Sequence, residues 1–207
     1  MTTKLLVCPV NRAFYVRVAL VCLAGATALP IRAAAPDGVD LHGMTRVGGR
    51  PTPNVVVWLE APNAPRAAQT GKVVLDQRNL AFSPRVLAVQ VGTTVDFPNN
   101  DRVFHNVFSF RDGKVFDLGL YPIGTMRPVT FDKPGLSRIF CNIHPNMAAY
   151  VVAIDSPYFG VSDEAGAFTL PAVPPGPYTY HAWRAGRPEL TGTWASAPDS
   201  PLEIDWP

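Results

Sequence analysis

The 207-residue sequence has few charges, with Lys, Arg, Asp and Glu together making 16% of it, and only four histidines and three cysteines. No apolar run reaches the ~20 residues that a membrane-spanning helix requires. The longest, V-A-L-V-C-L-A-G-A-T-A-L at 18–29, has the length of a signal-peptide core and follows Lys4, Arg12 and Arg17. No stretch carries a sustained 3.6-residue apolar period, which excludes a helical bundle. No Lys/Arg cluster exists, which argues against nucleic acid as a partner.

The leader changes the totals. Small residues at Ala26–Ala28 and Ala33–Ala35 offer cleavage sites, so residues 1–35 read as a signal peptide cut between 28 and 35. An uncleaved anchor is the alternative; a lipid on Cys22 lacks the small residue expected before it. Four of the 18 basic residues and none of the 16 acidic ones lie in 1–35, so a cut after Ala35 leaves 14 against 16, a net charge of −2. Cys8 and Cys22 leave as well. Cys141 then remains alone in an oxidising compartment, and burial, intermolecular pairing or metal ligation must account for it.

What is abundant is Pro and Gly, 22 and 16 residues, spaced between short β-branched and aromatic runs. That texture predicts an all-β sandwich protein. Strand-like runs fall at 55–60, 72–76, 86–91, 93–97, 105–110, 114–118, 136–141, 148–154, 163–170 and 178–183. Asp112-Gly113 has the dipeptide of a tight hairpin, and Pro134-Gly135 suits a type II turn. The tail after 196 reads as an edge strand or a loose end.

Chemistry concentrates in F-C-N-I-H-P-N-M, 140–147. A thiolate, an imidazole and a thioether occur there as C-x2-H-x2-M, with a second imidazole, His105, 36 residues upstream on another strand. Singly, each has a bland reading: Cys141 and Met147 as core volume, His105 as a satisfied histidine. Together, two His, one Cys and a Met form the donor set of a type 1 (blue) copper ion. His42, His181, Met44 and Met126 lack soft neighbours at such spacing and read as ordinary residues.

Residues 72–155 resemble a cupredoxin of the plastocyanin/amicyanin type. The shared elements are F-S-P (82–84), V-G-T-T-V-D-F-P-N-N-D (91–101), H-N (105–106), P-G (134–135) and C-N-I-H-P-N-M (141–147). The resemblance implies a Greek-key β-sandwich holding one copper on His105, Cys141, His144 and Met147. It implies that Asn106 ties the two ligand loops together near the thiolate, and that His144 is the electron port within an apolar patch framed by Pro98, Pro145 and Met147. The whole chain resembles bacterial periplasmic proteins labelled methylamine-utilization or plastocyanin-like proteins. Residues 36–62 and 156–207 resemble the two parts of a carboxypeptidase-regulatory-like, transthyretin-like (Ig-like) sandwich. Two arrangements stay open: the cupredoxin is inserted into that second sandwich, or residues 38–60 add a strand to the cupredoxin.

These readings predict an exported, periplasmic one-electron carrier with a transient redox partner, a cytochrome or a dehydrogenase, and no membrane span in the mature chain. The alternative with the same ligands is copper buffering or delivery. An enzyme is not expected. Only His42 and His181 remain for a second copper cluster, and Phe140 and Asn142 flank Cys141 where multicopper enzymes place histidines.

Overall fold

The computed structural model describes residues 38–61, 64, 71–196 and 200–207. The leader expected at 1–35 lies outside them. Every regular element among the described residues is a β-strand, in agreement with the all-β expectation, and no helix there is long and apolar enough to cross a membrane.

The chain opens with β1 (Val39–Val47), β2 (Arg50–Pro51) and β3 (Val56–Leu59). It continues through β4 (Val73–Val74), β5 (Asp76–Arg78), β6 (Ala81–Ser83), β7 (Val86–Gln90), β8 (Thr93–Pro98), β9 (His105–Ser109), β10 (Phe116–Tyr121), β11 (Met126–Phe131), β12 (Gly135–Phe140) and β13 (Ala148–Ile154). It closes with β14 (Phe159–Val161), β15 (Ala167–Val173), β16 (Gly176–Trp183), β17 (Leu190–Ser196) and β18 (Leu202–Trp206).

Two sheets come from the middle of the chain, β10-β9-β12-β13-β7 and β11-β8-β4, with β5 and β6 as a hairpin beside them. Their facing side chains, among them Val95, Phe97, Val107, Phe131, Ile139 and Val151, form one buried core. Two more sheets come from the flanks: β15-β1-β18, with β2 added to β1, and β14-β3-β16-β17. Leu41, Val57, Leu59, Leu170, Ile204 and Trp206 fill the space between these.

A third apolar layer joins the pairs. Val86, Ala88, Val152 and Ile154 on the outer face of the five-stranded sheet meet Val56, Trp58, Val161 and Trp183 from the other. The period-2 alternation of a strand explains how single strands serve two layers. In β3, Val57 and Leu59 point to one core and Val56 and Trp58 to the other; in β13, Val151 and Val152 divide the same way. Strands buried on both faces read as unbroken apolar runs, as V-V-V-W-L and Y-V-V-A-I do.

β3 and β14, where the chain leaves and rejoins the flanking sheets, pair antiparallel with Trp58 opposite Phe159 and Val56 opposite Val161. β1 pairs β15 and lies parallel to β18, so the tail after 196 includes a paired strand. The Asp112-Gly113 connection is longer than a two-residue hairpin. β9 ends at Ser109 and β10 starts at Phe116, because the backbone first turns back to β12, Gly113 N–H donating to Leu136 O (2.8 Å). A Cβ at Gly113 would sit 2.9 Å from the Leu136 carbonyl carbon, so only glycine allows this approach.

Candidate metal centre

β9 begins at His105, β12 ends one residue before Cys141, and β13 begins one residue after Met147. Adjacent strands therefore deliver the candidate ligands to one end of the sandwich. The seven-residue loop closes on itself: Met147 N–H donates to His144 O (2.9 Å) and Cys141 N–H to Met147 O (3.4 Å). These bonds turn the Cys141 and His144 side chains toward a common point.

His105, Cys141 and His144 converge. The two Nδ1 atoms are 3.0 Å apart, and Cys141 Sγ lies 3.9 Å from that of His105 and 3.7 Å from that of His144. The point equidistant from the three atoms is about 2.1 Å from each. A zinc-like divalent ion takes imidazole nitrogen at about 2.0–2.1 Å and thiolate at about 2.3 Å. The triad thus fits a first-row metal ion with only a small outward shift of sulfur. Among the described residues it is the one such group of His, Cys and carboxylate side chains, and Cys141 is a free thiol.

The surroundings of His105 suit ligation too. Its Nε2 faces Asp101 Oδ2 at 3.1 Å. In the neutral tautomer with its proton on Nε2, the ring donates to Asp101 and Nδ1 keeps the lone pair that a metal requires. The carboxylate of Asp101 is held below its usual range, chiefly by the Leu80 N–H, with Arg102 N–H and His105 also contributing. Leu80 N–H donates to Oδ2 (2.7 Å) and Arg102 N–H to Oδ1 (2.8 Å).

Asn99, fully buried, anchors the same loop. Its Nδ2 donates to Val103 O (2.9 Å) and Tyr121 O (3.0 Å), and its Oδ1 accepts from Asp101 N–H (3.0 Å). Sequence reasoning gave neither residue a role. Both stand in the N-N-D segment, and a carboxylate four residues ahead of His105 was the one available signal.

The other expected residues are placed as follows. Met147 is 1% exposed and packs in the core cluster that holds Cys141. It therefore adds nothing to the surface. The apolar rim at this end consists instead of Val103, Phe104, Ile123, Met126 and Ile143, all exposed. His144 is half-buried between exposed Ile143 and Pro145.

The side-chain amide of Asn106 reaches across the sheet, not to the 141–147 loop: Nδ2 donates to Asp117 Oδ1 (2.7 Å), and the buried Oδ1 has no hydrogen-bond partner. Asp117 Oδ1 also accepts from Gly119 N–H (2.7 Å), fixing the irregularity in β10 after which Tyr121 pairs with His105. Outside the site, His42 bonds to Thr169 Oγ1 (3.0 Å), and His181 lies between Glu60 and Glu189.

No family model matches the chain. Several solved structures are similar to part of it. A purple cupredoxin from Nitrosopumilus maritimus is 27% identical over 40% of this chain and 100% of its own, at a TM-score of 0.37. A Cu-containing nitrite reductase (NirK) from Thermus scotoductus is 27% identical over 47% of this chain and 25% of its own, at 0.40. A mutant of amicyanin, in the Cu(I) form, is 22% identical over 47% and 98%, at 0.39. Two of these three are described as holding copper, the nitrite reductase and the Cu(I) amicyanin. Each covers less than half of this chain, and the chemistry of the site here rests on its own side chains.

Proposed function

We propose that the chain is an exported, periplasmic type 1 copper protein that carries single electrons between redox partners. The observation that supports this best is the His105–Cys141–His144 triad, three ligand atoms spaced for one metal ion with the His105 ring held by Asp101. Copper bound there would supply one-electron chemistry by alternating between Cu(I) and Cu(II). Cys141, His105 and His144 would hold it, with Met147 as a further, weak sulfur donor that would tune its potential.

The protein's own residues do the rest. Asp101 and Asn99 fix the His105 ring, and the two loop-closing backbone bonds fix His144 relative to Cys141. A donor set that is already assembled reorganises little when charge changes. Burial of Cys141 and Met147 keeps water from the sulfur atoms. His144, between Ile143 and Pro145, is the route to a docked partner, and the exposed apolar rim suits a small, transient contact. The same reading takes 72–155 as a cupredoxin domain inserted into a sandwich built from 36–62 and 156–207. Antiparallel pairing of β3 with β14 supports it, since an inserted domain needs its two ends close together.

The test is copper loading of the purified protein. One equivalent should bind with intense visible thiolate-to-Cu(II) absorption, bleached by reductant and absent in Cys141→Ser. Protein that stays colourless, or colour that survives Cys141→Ser, overturns the assignment. Oxidation of the copper(I) form by candidate cytochromes then separates an electron carrier from a protein that buffers or delivers copper.

A further inference from the structure

The seam between the two sandwiches is open along part of its length. Beside the middle apolar layer lies a cleft of about 440 Å³ walled by Trp58, Trp183, Leu136 and Ile154. That is enough for a single-ring ligand and falls in the range of small-molecule sites. It lies on the outer face of the five-stranded sheet, whereas the copper ligands lie at its end.

Among the described residues, the charged side chains of the lining are mostly acidic. Glu60 and Glu189 contribute carboxylates, no described Lys or Arg takes part, and His181 is the one basic group among them. Its ring lies flat on Trp58, centroids 4.9 Å apart and planes 6° from parallel. Nδ1 is 2.7 Å from Glu189 Oε1 and Nε2 is 2.9 Å from Glu60 Oε1, so both ring nitrogens are occupied.

One imidazole carries at most one positive charge, and two carboxylates share it. Even with His181 protonated, the pair keeps a net negative charge. The carboxyl of Glu60 is held below its usual range, mainly by the hydrogen bond from His181. Indole rings present electron-rich faces, which attract cations in the same way.

We propose that this cleft binds a small organic cation, a protonated or quaternary amine on a compact apolar body. Aromatic and aliphatic walls take the body, and the carboxylates at the rim take the charge. An anion meets a net like charge at these side chains. A saccharide needs hydrogen-bond donors as well as acceptors, and the carboxylates only accept while the ring nitrogens of His181 are already taken. The site is separate from the proposed copper chemistry and does not depend on it.

The test uses the full chain and benzyltrimethylammonium, followed by calorimetry and by tryptophan fluorescence, since Trp58 and Trp183 line the cleft. Saturable binding of one equivalent is expected, at least tenfold weaker in Glu60→Gln/Glu189→Gln and weakened by salt. Benzyl alcohol, the neutral analogue, should bind at least tenfold more weakly than the cation. Both glutamates are exposed, with side chains 55% and 42% accessible, so the isosteric changes should leave the melting temperature near wild type. The neutral analogue tests the same point without any mutation. No saturable binding, equal affinity for benzyl alcohol, or equal affinity in the double variant overturns the proposal. Binding of methyl glucoside but not the cation would make the cleft a saccharide site instead.

Discussion

His105 has both ring nitrogens committed, Nε2 to Asp101 and Nδ1 to the ligand triad. If the ring binds copper, Asp101 raises its basicity and fixes its orientation. Asp101→Asn should then lower copper affinity about 10- to 100-fold, measured by competition with a chelator, with the visible spectrum retained. Unchanged affinity would mean that Asp101 serves only to shape the loop. Tyr121, fully buried, shows how a polar group supports the core beneath the site. Its hydroxyl donates to Phe97 O (3.0 Å) and accepts from Gln77 Nε2 (2.6 Å). Tyr121→Phe leaves both partners short of a bond and should cost about 1–3 kcal/mol at neutral pH. Burial pushes the Tyr121 hydroxyl up to about 12 from 10.0. A raised folded-state value gives stability that is complete below pH 10 and is lost as pH rises through about 12. Urea unfolding of the copper-free protein should show a loss across that window which is shallower in Tyr121→Phe. An equally steep loss in the variant would trace it to other groups.

At the scale of elements, the 141–147 loop does most of the chemical work. Because it supplies Cys141, His144 and Met147 at once, its spacing, taken with His105 upstream, made the metal reading possible from sequence. Asn146 is exposed beside Pro145 and belongs to no ligand pair. Asn146→Asp should leave the copper spectrum intact and slow electron self-exchange, since a carboxylate resists desolvation against an apolar partner patch. Equal rates would place electron entry elsewhere. The strands themselves were unevenly legible. β13 and β7 follow their predicted runs closely because unbroken V/A/I stretches leave little choice. β11 was missed because Pro128 lies in its middle. The strand tolerates it by being an edge, paired only with β8, where a missing N–H can face away from the sheet. Asp101 was missed for another reason: a carboxylate four residues before a histidine is commonplace, and only the loop geometry set by Asn99 brings it onto the ring.

At the scale of the molecule, four sheets enclose three apolar layers, and the middle layer is the joint between the sandwiches. Excising 72–155 and linking the flanks should leave a folded, copper-free β protein, because β1, β3 and β14–β18 pair among themselves. The cut also bares Val56, Trp58, Val161 and Trp183. The excised protein should therefore self-associate at concentrations where the full chain stays monodisperse by light scattering. If it is unfolded while 38–155 folds alone, the two-domain reading is wrong.

The pairing of β1 with β18 has a mechanical consequence. They lie side by side and parallel, with Gly43 opposite Leu202 and Val47 opposite Trp206. Tension applied before β1 and after β18 would pull them in opposite directions along their length. Their cross-strand bonds would then share the load in shear instead of tearing one at a time. The segment 72–155 hangs between β3 and β14, behind that clamp, and would feel no pull until the clamp had slipped. Stretched from its ends, the molecule would yield in the flanking sandwich first and release the ligand triad last.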